Sequence, residues 1–514
     1  MATRTVRQLP LGAVRPPVRG EFGSIRRRPG DAVIDLAPVL FVCGLLLVTL
    51  AIAMLVPALV DYIAGHEDWR VFTISSGVTV FVGVLLVLTN WHGPLRLGLR
   101  QAFVLTSLSW VVVSLFAALP FRFSDLELSF TDAVFEAMSG ITTTGSTVIV
   151  GLDYAAPGIL LWRSLLQWLG GIGIIVTAVA LLPLLQVGGM QLFRTESTDQ
   201  SDKISPRVAQ IALGIISVYL GMTALWTLFI WLTGLTLFDA VAHAMTTIAT
   251  GGFSTVDMSI GHFANPSLDW VISAGMLASA VPYVLYVQAL RGRAWLLWQD
   301  EQVRGLFTIL AVAILAMSVA HTLVNGVDPL LALRFVVFNA VSVMTGTGYA
   351  TADYSAWGPF ANAGFFFLMF IGGCAGSTTC GIKVFRFQIL FATARAQVAR
   401  LIQPHGVLLA TYNRRPIPES VVVSVIAFLV LYLVCYAALA LALGLMGLDF
   451  LTATSGAATA ISNVGPGLGN VIGPAGNFAT LPDAAKWVLS FGMLLGRLEL
   501  FTVLILFMPS FWRA

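Results

Sequence analysis

The chain has 514 residues, of which 58% are hydrophobic and only 10% charged, with a formal net charge of +3. A soluble domain carries roughly 25% charged residues, and one water-soluble core could not bury this many long apolar runs. The composition therefore excludes a soluble globular protein and implies a polytopic membrane protein. Only three lysines occur (Lys203, Lys383, Lys486), and the arginines fall in short clusters between apolar runs, so no basic nucleic-acid surface is expected. The four cysteines (Cys43, Cys374, Cys380, Cys435) show no metal-ligand spacing and argue against a disulfide framework.

Residues 1–32 carry seven arginines (Arg4, Arg7, Arg15, Arg19, Arg26, Arg27, Arg28) among prolines and glycines. Such a segment cannot bury a core and reads as a mobile basic tail. A cleaved signal peptide is the rival reading, but the apolar run from Ile34 to Ala64 is too long for a signal's apolar region. Ten runs are long enough to cross a hydrocarbon core of roughly 30 Å. They lie at about 36–62, 71–90, 101–120, 158–182, 208–232, 268–290, 304–323, 359–382, 420–446 and 485–509. Four shorter, half-apolar stretches, at about 130–141, 238–248, 333–344 and 450–461, separate runs three and four, five and six, seven and eight, and nine and ten. A helix of this length reaches only about 18 Å, which suits a re-entrant helix and not a span.

With the N-terminus on the cytoplasmic side, the inner segments hold 22 of the 28 basic residues and the outer segments five (Arg70, Arg122, Arg163, Arg334, Lys486). Arg497 alone falls within a run. This asymmetry orients the chain: both termini are cytoplasmic and all four short stretches lie on the outer side. The expected organisation is a basic tail (1–32), a two-span prefix (33–95) and four pore repeats (96–195, 196–298, 299–412 and 413–514). Each repeat contains two crossings, so all four share one orientation. The fold class is an all-α membrane protein of four parallel membrane–pore–membrane repeats around a pseudo-fourfold axis along the membrane normal.

A small, polar, glycine-bearing segment follows each short stretch. Without gaps, Ile141-Thr-Thr-Thr-Gly145 aligns with Ile248-Ala-Thr-Gly-Gly252, Met344-Thr-Gly-Thr-Gly348 and Ile461-Ser-Asn-Val-Gly465. Extended backbone at membrane depth must be buried in protein or line an aqueous path. Glycine allows the left-handed dihedrals that turn adjacent carbonyls to one side. Four such segments would stack rings of carbonyl oxygen that replace the hydration shell of a bare cation, as potassium filters do. The re-entrant helices would point their partially negative ends at the ion path.

These residues resemble the TrkH/TrkG/KtrB superfamily of potassium-translocating subunits, and TrkH most of all. The resemblance rests on Trp162-Arg-Ser-Leu-Leu-Gln-Trp-Leu-Gly-Gly171-Ile-Gly173, Gly372-Gly-Cys-Ala-Gly-Ser-Thr-Thr-Cys-Gly-Ile-Lys383, Ser462-Asn-Val-Gly-Pro-Gly467 and Gly496-Arg-Leu-Glu499, and it covers about residues 36 to 512. It implies a potassium-channel-like architecture and potassium as the transported ion with no organic cofactor; a membrane enzyme or sensor is not expected, because the spans hold no spaced His/Asp/Glu cluster and no soluble segment is large enough for catalysis or signalling. It also implies a homodimer in the bacterial inner membrane and a cytosolic TrkA-like nucleotide-binding regulatory ring, beside membrane lipids and no nucleic acid. The two-span prefix favours TrkH over KtrB. By the same resemblance the filter falls on Thr143, Thr144 and Gly145, on Thr250, Gly251 and Gly252, on Gly346, Thr347 and Gly348, and on Asn463, Val464 and Gly465. The fourth segment is the least regular, so the pore need not be symmetric.

Run eight is interrupted by Gly372, Gly373, Gly376 and Gly381, with Ser377, Thr378 and Thr379 between them and Gly364 nearby. Each helical glycine costs roughly 1 kcal/mol against alanine, so a break is expected; a close helix-packing interface of small residues is the alternative. The resemblance makes this stretch a gate loop under the filter. Arg497, near the middle of run ten, is expensive at membrane depth and should face the pore or a partner. Gate-loop carbonyls would satisfy it, and an Arg–Glu pair fixing helix packing is the alternative. The resemblance makes it a positive barrier. Lys383 reads as an interfacial anchor at the cytoplasmic boundary, and Glu136 and His243 as local hydrogen-bonding groups. The basic stretch from Arg386 to Arg415 is either a docking surface or a positive-inside anchor. The competing function, a secondary transporter for another cation such as sodium or for an organic solute, would favour inverted repeats and a midplane pocket with ligand-specific charges.

Overall fold

The computed structural model describes residues 34–91, 97–180, 206–403, 406, 408–413 and 415–513. The basic tail, Arg96, Arg194, Lys203, Arg414 and the boundary between the first two repeats lie outside the described residues. Among the described residues, seven helices are long and apolar enough to cross a membrane: Ala37–Ala64, Trp69–Thr89, Leu99–Phe123, Pro157–Ile175 (helical to Ala180), Gln210–Leu232, Glu301–Asn325 and Glu419–Leu445. Their outward faces carry exposed apolar side chains such as Leu59, Phe81, Leu315 and Leu441, as lipid requires. Among the described residues the only strands are the two-residue pair Thr411–Tyr412 and Arg415–Pro416.

The prefix is a helical hairpin closed by two glycines. A Cβ on Gly44 would lie 2.7 Å from Gly83 O, and one on Gly83 would lie 3.0 Å from Gly44 O, so the two backbones touch where side chains would separate them. Asp61 is buried near the end of its first helix and accepts from Gly158 N at 2.5 Å. That bond sits on the first turn of the helix Pro157–Ala180, where the free amides and the dipole favour a carboxylate.

Each repeat is a spanning helix, a short re-entrant helix, a glycine segment and a second helix. The re-entrant helices are Phe130–Ile141, Leu237–Ile248, Pro329–Thr345 and Phe450–Ser462. Each begins on an oxygen-bearing cap: Ser129 and Thr236 accept from the amides of Asp132 and Asp239, Asp328 from those of Leu330 and Leu331, and Asp449 from that of Thr452.

The second helices depart from the expected spans. Runs six, eight and ten are not continuous. Run six is Pro266–Ser279 and Tyr283–Leu290, bent by 93°, and run ten is Asp483–Arg497 and Phe501–Phe507, bent by 111°. Run eight is helical only from Pro359 to Phe370, and the chain becomes helical again at Val384. Pro282 supplies no amide at the first break. At the last break, Glu499 and Leu500 take left-handed backbone, with φ of +60° and +45°. The break in run eight was legible in its glycines; the other two occur without such a cluster.

Second helices pack on re-entrant helices through glycine. A Cβ on Gly170 would lie 1.9 Å from Ile141 O, and one on Gly496 would lie 2.0 Å from Ile461 O. Ile141 and Ile461 are equivalent, each four residues before its segment's glycine. Gly170→Ala should therefore push the second helix off the first re-entrant helix. The expected result is a loss of about 1–3 kcal/mol from overpacking, seen as a lower melting temperature of the purified protein.

Candidate functional site

After each re-entrant helix the chain turns by one repeated hydrogen bond. The amide one place before the glycine donates to the carbonyl five residues back: Thr144 N to Ser139 O at 2.8 Å, Gly251 N to Thr246 O at 2.8 Å, Thr347 N to Ser342 O at 2.9 Å and Val464 N to Thr459 O at 3.0 Å. Left-handed backbone then occurs at two places in every segment. The first is two residues before the glycine, with φ of +51° at Thr143, +51° at Thr250, +70° at Gly346 and +53° at Asn463; the second is the glycine itself, at +87°, +76°, +84° and +108° for Gly145, Gly252, Gly348 and Gly465. The residue between is not left-handed. A strand that alternates in this way turns successive carbonyls toward one side. Thr143 and Thr250 are β-branched, for which this region costs most, about 1–2 kcal/mol each.

The four segments close into a ring. A Cβ on Gly145 would lie 2.2 Å from Gly251 O, on Gly252 1.8 Å from Thr347 O, on Gly348 2.0 Å from Val464 O, and on Gly465 2.9 Å from Thr144 O. Each glycine thus faces the carbonyl of the residue before the next repeat's glycine, and the fourth repeat returns to the first. All twelve filter positions named from the sequence are brought together here. The fourth segment is tied to the first by Asn463 Nδ2 to Thr144 Oγ1 (2.9 Å) and Ser146 Oγ to Gly465 O (2.7 Å).

Beyond the glycines, each outgoing strand is braced from its own re-entrant helix. Glu136, nine residues before Gly145, accepts from Thr147 Oγ1 (3.0 Å) and Val148 N (2.9 Å). At the equivalent places His243 Nε2 meets Ser254 Oγ (3.0 Å), and Asn339 donates to Thr351 Oγ1 (2.9 Å). In the fourth repeat, where Gly456 occupies that place, Ser455 Oγ accepts from Leu468 N at 3.0 Å instead. Glu136 and His243 are therefore the local hydrogen-bonding groups expected. Asn339 and Ser455 are marked only by register, not by residue type.

The residues from Ile371 to Lys383 form a buried loop whose ends are joined by Gly372 N to Ile382 O (2.9 Å) and Ile382 N to Phe370 O (3.0 Å). A Cβ on Gly372 would lie 1.7 Å from Cys380 O. The loop docks on the broken second helix of the second repeat: Cys374 N donates to Ala280 O (3.0 Å), Thr378 Oγ1 to Ser279 O (3.2 Å), and Tyr283 N to Gly376 O (3.0 Å). Ser377 Oγ lies 2.7 Å from Thr379 Oγ1. Gln302 accepts from Ala375 N at 2.8 Å. A Cβ on Gly346 would lie 3.8 Å from Cys380 N, so the loop abuts the ring. A loop held in this way replaces the alternative of a helix-packing stripe; Gly364 is no part of it, lying within the helix Pro359–Phe370.

Arg497 is 1% exposed and sits at the C-terminal end of its helix, at the break and not midway along a span. Its Nη1 donates to Thr378 O (3.2 Å) and Cys380 Sγ (2.8 Å), and its Nη2 to Gly170 O (3.0 Å). One carbonyl of this loop, Thr378 O, is thus among its partners, beside the Cys380 thiol of the same loop and the Gly170 carbonyl of the first repeat. The alternative pairing with Glu499 is not made: Glu499 is bonded to Arg386, whose guanidinium also stacks 3.7 Å over Phe428. Arg386 is fully buried and is neither a docking surface nor an anchor, whereas Arg395, Arg400 and Arg415 on the same stretch are exposed. Lys383 is also a correction. It is no interfacial anchor but a buried residue whose ammonium donates to Thr379 O and Thr379 Oγ1 within the loop. Removing the carboxylate with Glu499→Gln would strand the Arg386 charge. The expected cost is about 3 kcal/mol, read as a fall in melting temperature that Arg386→Met in the same chain partly restores.

Four parallel re-entrant repeats closed on a ring of glycine backbone define a pore-type multi-pass membrane transport protein. A family model described as a cation transport protein, TrkH, matches residues 70–514, and the chain belongs to this family. The chain is 49% identical over 488 residues to the Trk system potassium uptake protein TrkI of Halomonas elongata, covering 95% of this chain and 99% of the relative. It is 38% identical over 480 residues to TrkH of Escherichia coli, covering 92% and 98%. Its fold is similar to the crystal structure of the potassium transporter TrkH from Vibrio parahaemolyticus, with a TM-score of 0.87, 35% identity, and coverage of 93% of this chain and 100% of that one. These relatives are named for potassium, so the reading as a transporter of an organic solute or another cation gains no support.

Proposed function

We propose that this chain takes up potassium through the ring formed by Thr143–Gly145, Thr250–Gly252, Gly346–Gly348 and Asn463–Gly465. The supporting observation is the closure of that ring: four glycines, each against the next repeat's carbonyl, with left-handed backbone at matched positions. Backbone carbonyls so arranged replace the water around a dehydrated potassium ion. The loop Gly372, Gly373, Gly376, Ser377, Thr378, Thr379 and Gly381 is the gate, and Arg497 is a positive group that holds it closed. The pore repeats divide at about residues 96, 196, 299 and 413, after the prefix. The protein acts as a homodimer in the bacterial inner membrane with both termini in the cytoplasm. A cytosolic nucleotide-binding ring of the TrkA type acts on the exposed basic stretch bearing Arg395, Arg400 and Arg415. No organic cofactor takes part.

Growth rescue of a potassium-uptake-deficient host at low potassium tests this reading, with rubidium flux into vesicles as the direct readout. Flux that saturates with potassium or rubidium and discriminates against sodium is the expected result. A folded protein that passes neither ion, alone or with a regulatory partner, would overturn it.

A further inference from the structure

Three observations converge on the second helix of the first repeat, Pro157–Ala180. Gln167, fully buried, donates from Nε2 to Gly251 O at 2.6 Å and accepts through Oε1 from Phe253 N at 3.0 Å. Its amide thus grips the second repeat's strand on both sides of Gly252, so closely that a Cβ on Gly251 would lie 2.3 Å from the Gln167 carboxamide carbon. One helical turn earlier, Arg163 is 1% exposed and donates from Nη1 to Ser254 O at 2.6 Å. Its guanidinium lies 4.0 Å over the Phe253 ring, and its Nε is paired with Glu136 at 2.8 Å. Glu136 in turn holds Thr147 and Val148 of the first repeat's own strand.

We infer that Gln167 and Arg163 are positioning residues for ion selectivity, forming a brace by which the first repeat sets the second repeat's filter strand. This rests on the filter reading above. The spacing of four residues puts both side chains on one helix face, and together they fix the backbone from Gly251 to Ser254. The Gly251 oxygen is the one that Gly145 faces in the ring, so it is held from both sides by the first repeat, by strand and by amide. Nothing bound is needed to account for the two side chains: every contact described is to backbone, to Phe253 or to Glu136. Buried carboxamide and guanidinium groups that bond a neighbouring strand's carbonyls fix where those carbonyls point. Selectivity depends on that placement, whereas passage of an ion depends only on an open path.

Gln167→Met keeps the volume and removes both hydrogen bonds. The expected result is a fall in the potassium-over-sodium permeability ratio of about thirtyfold, the size that two lost hydrogen bonds of ordinary strength imply, with ion flux retained. Trp168→Phe is the control: one residue on, Trp168 Nε1 donates to Thr223 Oγ1 and not to a filter strand, so this variant should lower stability and leave the ratio unchanged. Gln167→Glu provides a second measurement should the methionine variant fail to fold. A carboxylate presents an oxygen to Gly251 O and repels it, while the protonated acid restores the donor, so the ratio should recover as the pH of the bath falls. An unchanged ratio in folded Gln167→Met, a wild-type ratio in Gln167→Glu even at a bath pH where its carboxyl is ionised, or an equal loss in Trp168→Phe would each overturn the inference. If the wild-type protein itself does not discriminate between the two ions, the filter reading fails instead.

Discussion

Gly252→Ala is expected to abolish potassium flux, while Gly465→Ser should retain flux with relaxed selectivity. The order follows from the distances around the ring. At Gly252 the new carbon would stand 1.8 Å from Thr347 O, inside covalent-like range of a backbone atom that cannot swing aside. The residue also has φ of +76°, which costs an L-residue about 1–2 kcal/mol before any clash. Relief requires the second and third strands to part, and with them the oxygens they share. At Gly465 the approach is 2.9 Å to Thr144 O with φ of +108°, so the first and fourth strands must still give, but by far less than the second and third must at Gly252. Gly145 and Gly348, at 2.2 Å and 2.0 Å, should fall near Gly252. Rubidium flux with sodium competition, measured on all four alanine variants and Gly465→Ser at matched protein content, checks the series. Equal activity of Gly252→Ala and wild type would contradict the ring geometry.

Arg497→Ala should raise basal flux by roughly tenfold or more. A fixed positive charge within roughly 8 Å of a passing cation, at an effective dielectric constant near 20, opposes it by about 2 kcal/mol. The same substitution deletes the bonds to Thr378 O, Cys380 Sγ and Gly170 O, which pin the loop to the first and fourth repeats. Barrier and tether therefore act in one direction. Arg497→Lys separates them: it keeps the charge, but a single ammonium cannot span three partners as the guanidinium fork does. Basal flux of Arg497→Lys between wild type and alanine would show that both contribute. A fall in flux for folded Arg497→Ala would refute the gating role.

The architecture was legible because hydrophobic run length, arginine placement and the register of four glycines are local properties of the chain. The breaks in runs six and ten were not, because they depend on what receives the freed backbone. Ala280 O and Ser279 O are taken up by Cys374 N and Thr378 Oγ1 of a loop almost a hundred residues away. Lys383 illustrates the same limit: position after a glycine cluster suggested a boundary, but its ammonium is enclosed by the loop it follows. That Arg497 does not pair with Glu499 was legible, but the partner of Glu499 was not. Arg497 and Glu499 are neighbours in sequence, yet the bend between them sends one to Thr378 and the other to Arg386. Gln167 lies in a stretch that carries the family resemblance, but its partner is not legible, since a single amide on an apolar helix could face any neighbour.

The left-handed positions two residues before the glycines have a consequence for how the ring fails. In three repeats they are occupied by Thr143, Thr250 and Asn463, and only in the third by a glycine, Gly346. Two walls, those of Thr143 and Thr250, are therefore sprung, since asparagine visits this region readily: they keep their shape because neighbours hold them, and released they would relax toward ordinary backbone. The third wall is at rest in the shape it has. Gradual loosening, by heat or by loss of surrounding packing, would thus unfasten the first and second walls while the third, the one against the loop from Ile371 to Lys383, stays formed. Discrimination between ions should be lost before the connection between loop and pore.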